Sequence, residues 1–253
     1  MDPHSSWLVL IPGHESLVSI LKNNLFLGDE TMVTVAQHLI GAVLVVIFLL
    51  IGTSISSRHF RKTPVPAKSF GLTLIFDAIL GGVAGMCRDL IGTHEWKRYF
   101  PLIATLALFI LFSNLMGLVP GFAPPTQNLE TTAVCAVIVF LYYNFHSLRR
   151  NGMSHIAHMA NPAGMGWTWA LAPLMFPIEL IGHLARPLSL ALRLRGNMVG
   201  DHAVIAAFAG ILPIVLPLPF LVMGLLVCCL QAYVFCMLSA IYIGMGVETH
   251  DDH

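Results

Sequence analysis

Long apolar runs alternate along this chain with short segments that are basic, polar or rich in proline. A membrane-spanning helix needs about 20 mostly apolar residues. Runs of that kind occupy 33–56, 100–119 and 131–147. The first ends at Arg58, Arg61 and Lys62, the second follows Lys97 and Arg98, and the third ends at Arg149 and Arg150. After a polar stretch at 151–166 come two longer segments, 169–212 and 219–247, separated by a turn with three prolines in 213–219. The pattern predicts an all-α membrane protein: one polytopic domain over 1–253, with five membrane helices and an external N-terminal segment at 1–32.

Two stretches do not fit a simple span. The segment 169–212 has 44 residues, which as a helix would reach roughly 65 Å, about twice the hydrocarbon thickness. It must tilt strongly or break near Gly196 and Gly200, so the last two helices are expected as a long tilted hairpin. The segment 65–91 mixes Phe70, Leu74, Ile75 and Ile79 with Asp77, Arg88 and Asp89, and carries Gly81-Gly82. It reads as an amphipathic helix at the cytoplasmic interface or packed on partner helices. The rival, a sixth span, would reverse every later loop. Lys and Arg argue against that reversal: 58–98 and 149–150 hold nine of the thirteen, whereas 120–130 and 212–219 hold none. The positive-inside rule then puts the N-terminus outside and the C-terminus in the cytoplasm.

Composition narrows the class. Hydrophobic residues make up 57% of the chain and charged ones 10%, against about 25% charged in soluble domains. The formal net charge is zero, so nothing suggests nucleic acid as a partner. The cysteines show no CxxC spacing and read as small buried hydrophobes, with no metal or cofactor expected. No GxxxxGK[ST] loop is present, so the chain is not expected to bind ATP that way or to be catalytic itself. Residues 1–29 lack an Arg-rich or Ser-rich transit pattern, which favours a bacterial cell inner membrane.

Against this background the polar residues of 169–212 stand out. A charge at the bilayer centre costs roughly 2.5–3.5 kcal/mol even on the forgiving insertion scale. Yet Glu179, His183, Arg186, Arg193, Asn197, Asp201 and His202 all lie in this stretch. On a wheel at about 100° per residue with Arg193 at zero, Arg186 falls near 20°, Glu179 and Asn197 near 40°, and His183 and Asp201 near 80°. His202 and Arg195 fall near 180° and 200°, on the back. Arg193 has no acid three or four residues away, where an internal ion pair would place one. A guanidinium keeps its proton, so Arg193 is a fixed charge and a poor relay member. Glu179, His183, Asp201 and His202 can exchange protons. Ion handling is the leading reading. A stand-alone secondary anion transporter binding its substrate with Arg186 and Arg193 is the alternative, and a purely structural scaffold is a third.

The run Ser189-Leu190-Ala191-Leu192-Arg193-Leu194-Arg195-Gly196-Asn197-Met198 resembles the S-L-x-L-R-L-F-G-N-M signature of subunit a of rotary F-type ATP synthases. Asn114-Leu115-Met116-Gly117-Leu118-Val119-Pro120, Pro125-Thr126-Gln127-Asn128-Leu129 and Leu230-Gln231-Ala232-Tyr233-Val234-Phe235 are similar to further family motifs, in the same order. The resemblance implies the stator half of a proton channel, facing a ring of c subunits within an F1Fo complex that includes peripheral-stalk b subunits and membrane lipid. It implies that Arg193 faces the ring, and that Glu179, with His183 nearby, lies towards the cytoplasmic half-channel. Asn197 and Gln231 match polar positions near the arginine, Arg186 a position often basic, Tyr242 a position in the family's tail, and His202 the inlet half-channel. Two positions depart from the family. Arg195 stands where an aromatic or apolar residue is usual, and is expected to snorkel or to pair with Asp201 or His202. Gly224 stands where an ionisable partner of His202 is usual, and Asp201 is expected to take over part of that role.

Overall fold

The computed structural model describes residues 29–62, 71–93, 95–119, 124–151, 172–209 and 217–247. The external segment before Asp29, most of the polar stretch at 151–166 and most of the proline-rich turn lie outside the described residues. So do the side chains of Glu179 and His202.

The described chain forms six α-helices: α1 (Asp29–Lys62), α2 (Leu72–Ile91), α3 (Trp96–Gly117), α4 (Leu129–Asn151), α5 (Ala172–Ala209) and α6 (Pro217–Val247). A 3₁₀ turn, Pro125–Gln127, stands before α4. Local chemistry explains two of the boundaries. Gly92, at φ 98°, ends α2 with its amide donating to the Arg88 carbonyl at 3.2 Å, a backbone setting that glycine adopts without a Cβ clash. Asn128 caps α4 through its side-chain oxygen, which accepts from the Glu130 amide at 3.3 Å.

Four stretches are long and apolar enough to cross a membrane: His38–Ser56, Trp96–Gly117, Leu129–Arg149 and Leu218–Met245. They coincide with four of the five spans expected from sequence. The fifth, α5, does not meet that standard among the described residues, because Glu179, Arg186, Arg193, Arg195 and Asp201 are spread along it. Apolarity alone therefore gives four candidate spans, and the membrane position of α5 must be argued from its packing.

That packing is extensive. One core cluster joins Leu106 and Ile110 of α3, Cys135, Ala136 and Val139 of α4, Leu190, Ala191 and Leu194 of α5, and Ala232 and Phe235 of α6. Small side chains at Ala136, Ala191 and Ala232 let the helix backbones approach closely, as suits packing in lipid. A second cluster joins Cys87 of α2 to Tyr99, Ile103 and Ala107 of α3, Tyr143 of α4, and Cys236, Ala240 and Ile243 of α6. The start of α2 also meets the end of α3, where Phe76 stacks on Phe112 with ring centroids 5.6 Å apart. The end of α2 meets the start of α3, so α2 runs antiparallel along α3 and shares its inclination. Outward faces remain apolar: Leu44, Ile47, Leu50 and Ile51 on α1, and Leu226 and Leu230 on α6, are exposed.

A polar hairpin as the candidate functional site

The helices α5 and α6 pair antiparallel, and their contacts step evenly back from the turn. Phe208 and Phe220 stack with centroids 4.4 Å apart. Further along, Asp201 lies close enough to Cys228 to act on it electrostatically. At the far end the Arg186 guanidinium sits over the Tyr242 ring at 5.2 Å. The hairpin read from sequence is present. Its first arm is one unbroken helix of 38 residues, running through Pro177, Pro187, Gly196 and Gly200. The break considered at the two glycines does not occur. A proline inside a helix removes one backbone bond, and neighbouring helices make that loss tolerable in a membrane. α5 packs against α4 and α6 along this continuous stretch.

The packed side of α5 carries His183, Leu190, Ala191, Leu194 and Met198, all buried. The polar stripe therefore straddles the boundary between packed and open faces. His183 is buried, and Arg186 and Asp201 are half-buried. Arg193 and Asn197 are exposed, and so is Arg195 on the back of the wheel. Around Arg193 the open strip is lined by Gly182, Ser189, Gly196 and Gly200, also exposed. A Cβ added at Gly182, Gly196 or Gly200 would meet nothing within 4 Å. The fixed cation thus stands on a strip of low relief. Gln231, buried on α6, falls by the hairpin register at the level of Asn197 and Met198, about one turn from Arg193.

At the cytoplasmic end implied by the charge pattern, three helices contribute to one polar layer. The Tyr143 hydroxyl of α4 and His183 Nδ1 of α5 share a hydrogen bond of 3.0 Å, and both residues are buried. Tyr143 and Tyr242 stand 6.3 Å apart, ring to ring. The Arg186 guanidinium, over Tyr242, also acts electrostatically on Tyr143. Sequence reading found His183, Arg186 and Tyr242 but missed Tyr143, which comes from a helix with no motif of its own.

A second polar layer lies at the other end. The Thr126 hydroxyl donates to Asn114 Oδ1 at 2.7 Å, with both side chains fully buried. His38 Nδ1 lies 3.0 Å from the Pro124 carbonyl. The Pro125–Gln127 turn packs against α5. Sequence reading took Asn114 and Thr126 only as motif letters, and gave His38 no role. Their signal was a polar residue in an apolar run, which is weak for one residue and clear only when partners meet. Gly224 belongs to this end. A Cβ there would come 2.9 Å from Cδ2 of Leu118, the residue just after α3.

These features define a class: a polytopic helical membrane protein with titratable and fixed-charge groups threaded along one arm of a packed hairpin. The chain belongs to the ATP synthase A chain family, whose family model matches residues 37–244. It is 46% identical over 205 residues to ATP synthase subunit a of Geobacter sulfurreducens, covering 81% of this chain and 85% of that one. It is 47% identical over 203 residues to ATP synthase subunit a 2 of Syntrophotalea carbinolica, covering 80% and 82%. Against ATP synthase subunit a of Sorangium cellulosum it is 41% identical over 212 residues, covering 83% and 81%. The anion-transporter alternative gains no support from these relatives. Nor does geometry favour it, since Arg186 is turned onto Tyr242 while Arg193 is exposed.

Proposed function

We propose that this chain is the stator proton-channel subunit of a bacterial F1Fo ATP synthase, passing protons to and from the carboxylates of a c-subunit ring. The observation that carries the reading is Arg193, a permanent cation exposed on a low-relief strip of an apolar protein. A guanidinium left to lipid is costly. A rotor helix bearing a carboxylate supplies the missing counter-charge, and the glycines let its backbone approach. Five helices cross the membrane in this reading, with α5 and α6 as an inclined hairpin around the ring and α2 packed along α3, its Arg88 end towards the cytoplasm. The N-terminus is outside and the C-terminus cytoplasmic. Peripheral-stalk b subunits and lipid cover the remaining apolar faces.

A proton enters from outside near His202 and Asp201 and neutralises a ring carboxylate, which can then turn into lipid. After nearly a full turn the carboxylate meets the second route, near Glu179 and His183, and releases its proton to the cytoplasm. Arg193 favours the ionised carboxylate between the two routes and blocks a direct leak. Asn197 and Gln231 present hydrogen-bonding groups within a turn of it, Arg186 and Tyr242 brace the cytoplasmic side, and Arg195 meets the headgroup region or the ring. Chemistry on nucleotide belongs to the rest of the complex.

Reconstitution tests the reading. Liposomes holding this chain alone should conduct no protons above the lipid background, while liposomes holding it with its c ring and b subunits should conduct them. Transport of an anion by the chain alone would overturn the proposal.

A further inference from the structure

We infer that Tyr143 is a positioning residue for proton exchange at His183, fixing the imidazole through its Nδ1. The inference rests on the reading of His183 as part of the cytoplasmic route.

The geometry supports a role beyond filler. The hydrogen bond from the phenol to the ring spans α4 and α5 at 3.0 Å in a buried layer. Phe140 meets the Tyr143 ring edge-on at 5.5 Å, and Tyr242 flanks it at 6.3 Å. The phenol therefore cannot swing away without unpacking α4 from α5 and α6. Engaging one ring nitrogen sets the tautomer and orientation of a histidine. The titratable and charged groups brought to this layer among the described residues are Tyr143 from α4, Arg186 on α5 itself, and Tyr242 from α6. Arg186 stands in the same layer as a fixed cation. The tautomer of His183 sets which of the two donates, so the phenol and the ring proton are coupled. Pro187 strengthens the case for a local design. Having no amide hydrogen, it cannot bond the His183 carbonyl four residues back, so the backbone there is held by packing and the side chain needs its own anchor.

The test is a double-mutant cycle in the assembled complex, reading ATP-driven proton pumping and passive flow across pH. Tyr143→Phe keeps the ring and removes the hydroxyl. It should slow proton flow about fivefold, the worth of roughly one neutral hydrogen bond, and displace the pH–rate profile while the complex assembles normally. In a His183→Ala background the same change should have no further effect. Additive effects, or an undisplaced profile in Tyr143→Phe, would overturn the inference. If His183→Ala itself leaves proton flow unchanged, the assignment of His183 fails first and Tyr143 with it. Should Tyr143→Phe fail to assemble, fluorotyrosine incorporated at 143 keeps ring and hydroxyl and alters only its acidity. An undisplaced profile there would likewise refute the role.

Discussion

Charge that cannot be titrated does a different job from charge that can. In the proposed reading Arg193 acts by field and position, and its neighbours move protons. The hydrogen-bonded and half-buried groups lie to either side of it along α5, His183 and Arg186 towards one end and Asp201 towards the other. Asp201 is proposed to take over part of the role left open at Gly224, one of the two positions that depart from the family pattern. Glycine at 224 leaves His202 without the ionisable partner that the family resemblance implies, and the tip of Leu118 lies beside that position. Asp201→Asn should lower passive proton flow by about tenfold, less than the full worth of a positioned proton-transfer group, while the c ring still copurifies. Flow unchanged in vesicles stripped of F1 would count against the substitution of roles. Arg193, Asp201 and His183 were legible in sequence because ionisable residues in an apolar run are conspicuous one by one. Tyr143, Asn114 and Thr126 were not, because each gains meaning from a partner 40, 12 and 12 positions away.

Hydropathy located four helices at the element scale because water and lipid read the same pattern that the eye does. It could not show that α5 continues through two glycines and two prolines, since local propensity argues for a break and only packing on α4 and α6 overrides it. Nor could it show that α2 lies along α3. Two glycines of α6 separate what local and tertiary forces do. At Gly244 a Cβ would come 2.6 Å from the Leu90 carbonyl oxygen and 3.6 Å from its carbon, backbone atoms of α2 that cannot step aside. At Gly224 the obstacle is the tip of a leucine, which can turn. Gly244→Ala should therefore cost about 1–3 kcal/mol through overpacking. Gly224→Ala should be close to neutral, because a gain of about 1 kcal/mol in helix propensity offsets the shift of Leu118. Thermal unfolding of the purified complex checks both, and equal effects would mean that the α2–α6 approach is looser than described.

The whole molecule is an incomplete object. Its surface is apolar on α1, α4 and α6, and its exposed arginine lies on the side of α5 left open by the packing. An α5 of 38 residues extends about 57 Å, nearly twice a hydrocarbon layer of about 30 Å, and in the proposed reading it lies inclined and presents Arg193 to the ring. Each charge moved through 100 mV yields about 2.3 kcal/mol, so in the proposed reading synthesis takes several protons per turn and tolerates no shortcut between the two proposed routes. The most direct measurement is ATP-driven proton pumping in inverted membrane vesicles carrying Arg193→Ala, with assembly verified by copurification of the ring. Pumping should vanish although the complex is intact. Pumping near the wild-type rate in an intact complex would contradict the claim that this fixed cation separates the two routes.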